Sequence, residues 1–340
     1  MKPFRTPGLF LALLCMGTWV RGFASSPPGT LQILKNSSKG SSKAYQGRIV
    51  SFIKEDNQSH MADVRIFFQP PDKYRREFVT PEEKMKKIVV SDGVTEWIYF
   101  PNKKVAWKGD SSKTYEKLLT DDQEWDLITK NYDLIQKPDG KVAGRDAWVI
   151  RVEPKTKGKP KRTLWIDKAE SVILQSKDYN PDGSLTVQSH FTDIAFASGF
   201  PPGTFDLALS TDTQTKDHGM DPDFLSIKDL QGANGKSVLY PRSLPDGFVF
   251  ESADKFPVKG HDVTHLRFTD GLNVLSLFES RFPIGSSTQI FSRDKSEPSL
   301  DHVGFSRTGK VIYWKKGKDH FILVGDLATA TLRKIKDSIK

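Results

Sequence analysis

His261 and His265 stand four residues apart, the spacing at which a helix brings two imidazoles onto one face around a metal ion. A zinc-protease helix also needs a glutamate general base directly after the first histidine, and here that position is Asp262. The flanking residues read as a turn entering a strand, with no cysteine or third ligand nearby, so both are read as surface histidines. Asp301-His302 has no serine in a Gly-x-Ser-x-Gly setting to complete an acyl-transfer triad. Asp121-Asp122 suits a helix start, where carboxylates complement the positive end of the dipole. No glycine-rich phosphate loop follows a strand. The residues therefore imply neither catalysis nor a cofactor nor a metal, and the chain reads as a binding protein.

Binding surface is suggested by aromatics instead. Trp97, Tyr99, Trp107, Trp125, Trp148 and Trp165 all lie in the first half of the chain. Any one of them is most simply a core residue. As a group, on strands of a sheet with little sequence to fill it, they suit a cavity for an acyl chain or a hydrophobic peptide. The candidate lining is Phe68, Trp97, Tyr99, Trp107, Trp148 and Trp165. Alternation along residues 95–100 puts Trp97 and Tyr99 on one side and Ile98 and Phe100 on the other; which side faces a cavity is left open.

The chain carries a net charge of +9 over 340 residues, with lysines clustered at Lys84/Lys86/Lys87, at Lys155 to Arg162 and at Lys315/Lys316/Lys318. Such clusters usually meet nucleic acid, but Lys2 and Arg5 followed by the apolar run Gly8–Val20 and Gly22-Phe23-Ala24 read as a secretory signal cut after Ala24. A lipoprotein signal on Cys15 is disfavoured by Leu14 before it. Cys15 is the only cysteine, so the exported chain has neither disulfide nor thiolate chemistry. A bacterial periplasm is the compartment expected, and the anions there are lipid headgroups or an acidic partner segment. Arg75, Arg76, Lys86 and Lys87 are the candidate contacts, any membrane contact being peripheral. The middle lysines, interleaved with Gly158 and Pro160, read as solvated turn residues.

The elements that must position these groups are mostly strands. Alternation at residues 64–68, the Asp92-Gly93 hairpin signal, residues 95–100 and 105–107 make an antiparallel meander. Thr120 to Ile135 carries helical spacing, closed by Lys137-Pro138-Asp139-Gly140, and residues 112–119 suit a shorter helix. Strands return at 146–152, 162–166, 172–179 and 185–196. These make one sheet with a helical insert, whose apolar face must be covered. The polar stretch 208–236 reads as a linker with a short helix near 223–229. Residues 237–340 read as a small α+β domain with strands at 248–252, 263–268, 273–280, 303–305, 311–314 and 321–324, then a final helix capped by Asp326.

The runs QPPDKYRREF, SDGVTEWIYFPNKKV, GRDAWVIRVEPK, TLWIDKAESVILQSKDYNPDGS and FTDIAFASGFPPGTFDL resemble, in order, the LolA-like fold shared by periplasmic lipoprotein carriers and the RseB/MucB regulators. LPDGF, HLRFTDGLNVLSLFESR and FILVGDLATATLRKIKDSI resemble the second domain of the RseB/MucB family, which the carriers lack. The resemblance implies an α+β fold: a strongly curved antiparallel half-barrel over residues 25–207 with covering helices, then a smaller α+β domain. It also implies binding of the periplasmic segment of a single-span anti-sigma factor, with lipid or lipopolysaccharide acyl chains sensed in an apolar cavity. The alternative is a LolA-like carrier of lipids or lipoproteins.

Overall fold

The computed structural model describes residues 28–55, 58–80, 84–111, 121–217, 226–234, 238–258, 260–283 and 310–340. The signal segment, the helix expected at 112–119, Asp301-His302 and the strand expected at 303–305 lie outside them. Helix α1 (Thr30–Ser38) leads into β1 (Ala44–Glu55), β2 (Gln58–Gln69), β3 (Lys73–Val79), β4 (Met85–Asp92), β5 (Thr95–Phe100) and β6 (Val105–Asp110). Helix α2 (Asp121–Asn131) precedes β7 (Tyr132–Val142), β8 (Arg145–Pro154), β9 (Lys161–Asp167), β10 (Ile173–Tyr179) and β11 (Leu185–Ala197). With β12 (Gln214–Asp217) they form one open sheet in the order β12-β6-β5-β4-β3-β2-β1-β11-β10-β9-β8-β7. Every pairing is antiparallel except β12 on β6. The curved sheet with covering helices is the architecture expected.

The turn chemistry behaves as its residues dictate. Asp92 accepts the N–H groups of Val94 and Thr95, and Gly93 takes the positive φ the hairpin needs. The next turn is a single 3-10 turn, Pro101–Lys103, with Lys104 in the left-handed region.

Four expectations are corrected. The helix does not run to Ile135: α2 ends at Asn131, and Tyr132 begins β7, which pairs along β8. Lys137-Pro138-Asp139-Gly140 is not a closing turn but an interruption inside β7, where the register shifts because proline cannot donate to a ladder. Helical spacing of apolar residues was misleading here because Leu134 joins the core from a strand, beside Ile150 and Trp148. Residues 208–236 are more than a linker. β12 supplies backbone pairing to the edge of β6, which needs no apolar alternation, and Leu230 of α3 (Ile227–Asn234) is fully buried in the second core. The last helix, α4 (Thr329–Asp337), starts after Ala328, whose N–H donates to the Gly158 carbonyl, so Asp326 is not its cap.

The second sheet comprises β13 (Val249–Val258), β14 (His261–Thr269), β15 (Val274–Ser280), β16 (Lys310–Lys316) and β17 (Asp319–Gly325), in the order β13-β14-β15-β17-β16. One face packs on α3 and α4 through Leu230, Phe268, Leu277, Phe321, Leu332 and Ile335. The other holds Val263, Phe278 and Ile322, together with ion pairs His265–Asp254 and Arg267–Glu251. His265 is thus no surface residue: it is fully buried and stacked on Phe278, while His261, on the same strand face, lies exposed at the strand start, where the neighbouring β15 no longer covers it.

Burial and the charge of Asp319 push the Glu279 carboxyl up to about 7, against an ordinary 4.5. The folded state therefore holds that proton more tightly than the unfolded chain, and stability falls as pH rises between the two values. Glu279→Gln keeps an acceptor for the Leu239 N–H. In urea unfolding the variant should match the parent near pH 4 and exceed it by roughly 2 kcal/mol near pH 8; an equal difference at both values would contradict the assignment.

Candidate binding site

Directly paired residues share a face, so the ladder sorts the aromatics. Ile150, Leu164, Ser176, Ser189, Ser51 and Ala62 form one cross-strand row. Alternation from that row puts Trp148 and Phe68 on the same side. The pairs Phe68–Tyr74, Tyr74–Ser91, Ser91–Glu96 and Glu96–Gly109 carry it on to Trp107. Trp97, Tyr99 and Trp165 point the other way. The six predicted lining residues are all half-buried, but they divide three and three and do not converge on one cavity. A twelve-strand sheet has two faces to cover, and aromatics serve both.

The side bearing Phe68, Trp107 and Trp148 is the one α1 covers: Ile33 and Leu34 pack with Ile150 and Ile166, flanked by Trp125 and Trp148. Beside them Tyr45 gathers Phe68 at 5.1 Å, Phe196 at 5.8 Å and Phe191 at 6.1 Å between ring centroids. Tyr45, Phe191 and Phe196 were not among the residues singled out, since Phe and Tyr in a long strand carry no signal until β1 and β11 are known to be neighbours. Cations edge this cluster. Arg145 lies 4.6 Å over Phe196 and Arg76 lies 4.9 Å over Tyr74. Arg145 also donates to both oxygens of Asp167. Burial alone would raise that carboxyl, but Arg145 and the N–H groups of Glu170 and Ala169 hold it below the ordinary range. A groove of about 670 Å³ opens at this end of the sheet, lined by Ala44, Pro70, Phe196 and Ala197 with Lys43, Gln69 and serines at its mouth. Its walls are mixed apolar and polar, and its one lysine, Lys43, is ion-paired with Glu170 at 2.6 Å.

The opposite face is covered differently. Phe67 packs on Phe200, and Phe200 on Phe205, so the segment after β11 folds back over β2. Four tryptophans of the predicted set each carry a lysine over the ring: Lys108 on Trp97, Lys216 on Trp107, Lys168 on Trp148 and Lys177 on Trp165, at 4.0–5.6 Å. Part of the positive charge is therefore spent shielding aromatic faces. Arg75, Arg76, Lys86 and Lys87 make no single patch. Arg75 pairs with Glu77 and donates to the Asp206 carbonyl, Lys87 sits 4.0 Å over Phe78 on the other face, and Arg76 and Lys86 are exposed on opposite sides.

A buried polar junction joins the two sheets. Lys159, in the turn between β8 and β9, places Nζ 3.0 Å from Asp270 Oδ2 and donates to the Asp246 carbonyl at 2.7 Å. Side-chain exposure is 3% and 0% for the pair, so Lys159 is not the solvated turn residue expected. Tyr132 donates to the same Asp270 oxygen at 2.6 Å; burial and the Asp270 charge raise its phenol pKa, so it stays a donor. Asn131 donates to the carbonyls of Gly247 and Asp270. Close approach is possible because both turns use glycine at positive φ. A Cβ on Gly271 would lie 2.9 Å from Ile128 and one on Gly247 1.8 Å from the Asn131 amide oxygen.

A buried charge stripped of its partner costs several kcal/mol. Lys159→Met should lower stability in urea by about 3 kcal/mol. The double variant Lys159→Met/Asp270→Asn, which keeps the Asp270 Oδ1 acceptor that closes the turn, should regain most of that loss. Additive losses would show that the two groups do not interact.

A family model described as the MucB/RseB N-terminal domain matches residues 34–214. Among solved structures, the complex of Pseudomonas aeruginosa MucA/MucB is similar at 18% identity and a TM-score of 0.56, covering 92% of this chain and 98% of that one. MucB in complex with MucA(peri) gives 18% identity and a TM-score of 0.58, over 92% and 97%. MucB alone gives 19% and 0.50, over 91% and 96%. No curated protein sequence matches the chain. The family model spans more than half of the chain, and the fold runs through both domains of the MucB structures; the chain belongs to the MucB/RseB family.

Proposed function

We propose that the protein is a periplasmic regulator that binds the periplasmic segment of a single-span anti-sigma factor and senses acyl chains of lipid or lipopolysaccharide. The observation that carries this reading is the coverage of the MucB structures solved with MucA, which extends across both domains of this chain. A carrier would need only the curved sheet, whereas here the second domain is tied to it by the Lys159–Asp270 junction. The division into residues 25–207 and 237–340, with cleavage after Ala24, belongs to this proposal, as does a binding rather than catalytic role. Within it, the acyl site lies on the α1-covered side and draws on Phe68, Trp107 and Trp148 together with Tyr45 and Phe196. Trp97 and Tyr99 face away and serve packing; Trp165, although it leaves its strand on that side, packs against the cluster of Leu174 and Phe191 that Tyr45 and Phe196 also join. Arg76 beside Tyr74 is placed to meet an anionic headgroup, while Arg75, Lys86 and Lys87 remain weaker candidates for contact with a partner or an anionic surface.

Affinity capture from a periplasmic extract separates the two functions: recovery of one single-span membrane protein supports regulation, and recovery of diverse acylated proteins would replace it with transport. For the cavity, Phe68→Ala and Trp148→Ala should each weaken binding of a fluorescent fatty-acyl probe about tenfold, the effect of losing one buried aromatic contact. Trp97→Ala and Tyr99→Ala should leave it within about twofold. Equal losses in both groups would remove the assignment of the site to one face.

A further inference from the structure

The edges of a sheet are open templates for another strand, and three of the four edges here are blunted. The large sheet ends at β7, which carries Pro138 and a register shift, and at β12, only four residues long. The second sheet ends on one side at β13, which contains Pro257 and a bulge between Phe250 and Ser252. Its other end, β16, has neither device. It pairs with β17 without a break from Lys310–Gly325 to Lys316–Asp319, and among the described residues no strand lies on its outer side. Val311 and Tyr313 are 39% and 40% exposed there. Its sequence, KVIYWKK, has an apolar, β-branched and aromatic centre with lysine at both ends, and Lys318 follows in the turn. Lys310 and Lys316 donate to the carbonyls of Leu327 and Ile339, and the Asp182 carboxylate lies within electrostatic reach of Lys310; among the described residues no carboxylate makes a close ion pair with Lys315, Lys316 or Lys318.

Lysines at a strand end discourage pairing between two copies, since antiparallel self-pairing would bring like charges together. They do not discourage a strand of opposite charge. We propose that β16 is a docking edge for an extended peptide segment with an apolar centre of about four residues and acidic residues at both ends, added as a sixth strand to the second sheet. Main-chain hydrogen bonds along β16 supply the pairing. The apolar centre packs beside Val311 and Tyr313, and the acidic ends meet Lys310 on one side and Lys315, Lys316 and Lys318 on the other. This holds whatever protein supplies the segment, so it stands or falls separately from the anti-sigma reading.

The test uses the full chain and synthetic peptides of about ten residues with a Val/Thr/Ile centre, in three forms: glutamate at both ends, lysine at both ends, and the glutamate form with backbone N-methyl groups on alternate residues. Fluorescence anisotropy should show binding of the glutamate peptide, weakening with salt, and about tenfold weaker binding by Lys315→Glu/Lys318→Glu. N-methylation on the pairing edge should abolish binding, and hydrogen exchange should show new protection confined to β16 amides. The proposal is overturned if the lysine peptide binds equally, if N-methylation is harmless in both of the two alternate-residue frames, or if protection falls elsewhere. Concentration-dependent dimerisation that protects β16 would equally overturn it, by making the edge a self-association surface.

Discussion

The arrangement of the two domains depends on one buried charge. Lys159 leaves the first sheet and ends between Asp270, Asp246 and the rings of Tyr132 and Phe248, from which water is excluded. A lysine in such a place is tolerable only while its carboxylate partner and surrounding donors and acceptors stay in register. Separation of the domains would expose or strand both charges together, so docking is an all-or-none matter rather than a graded one. Asp270 is suited to this because it also closes its own turn, accepting N–H groups from Leu272 and Asn273. The same residue thus sets the β14–β15 hairpin and its attachment to the curved sheet.

The curved sheet has two faces with different work. The α1-covered face combines a small core with a half-buried aromatic cluster edged by Arg76 and Arg145. The other face is part charged ladder, with Arg48–Asp63 and Arg75–Glu77, and part packing for the segment after β11. Lysines over four tryptophans reconcile a basic chain with an aromatic one: each pair hides apolar surface while keeping charge in water.

Short hairpins were legible from residues alone, because Asp92-Gly93 and Pro101 to Lys104 dictate local backbone whatever surrounds them. Strand β5 was read to the residue for the same reason. Strand β7 was not, since its apolar spacing fits a helix as well and only the ladder with β8 decides. The lining residues were half legible. Alternation showed that Trp97 and Trp107 sit on strands, but their opposite faces follow from the β5–β6 register, in which Ile98 stands opposite Trp107, and Tyr45, Phe191 and Phe196 meet only because β1 and β11, distant in sequence, are adjacent.

By itself the sequence determined that the chain is strand-rich and where its tight turns fall. These are local properties, carried by glycine, proline, aspartate and period-two alternation. Tertiary structure alone decided that Lys159 is buried while its neighbours Lys155 and Lys157 are exposed, that His265 is core, and which aromatics share a face. Each of those depends on which distant residue stands opposite, and for Lys159 that residue is Asp270, more than a hundred positions away along the chain.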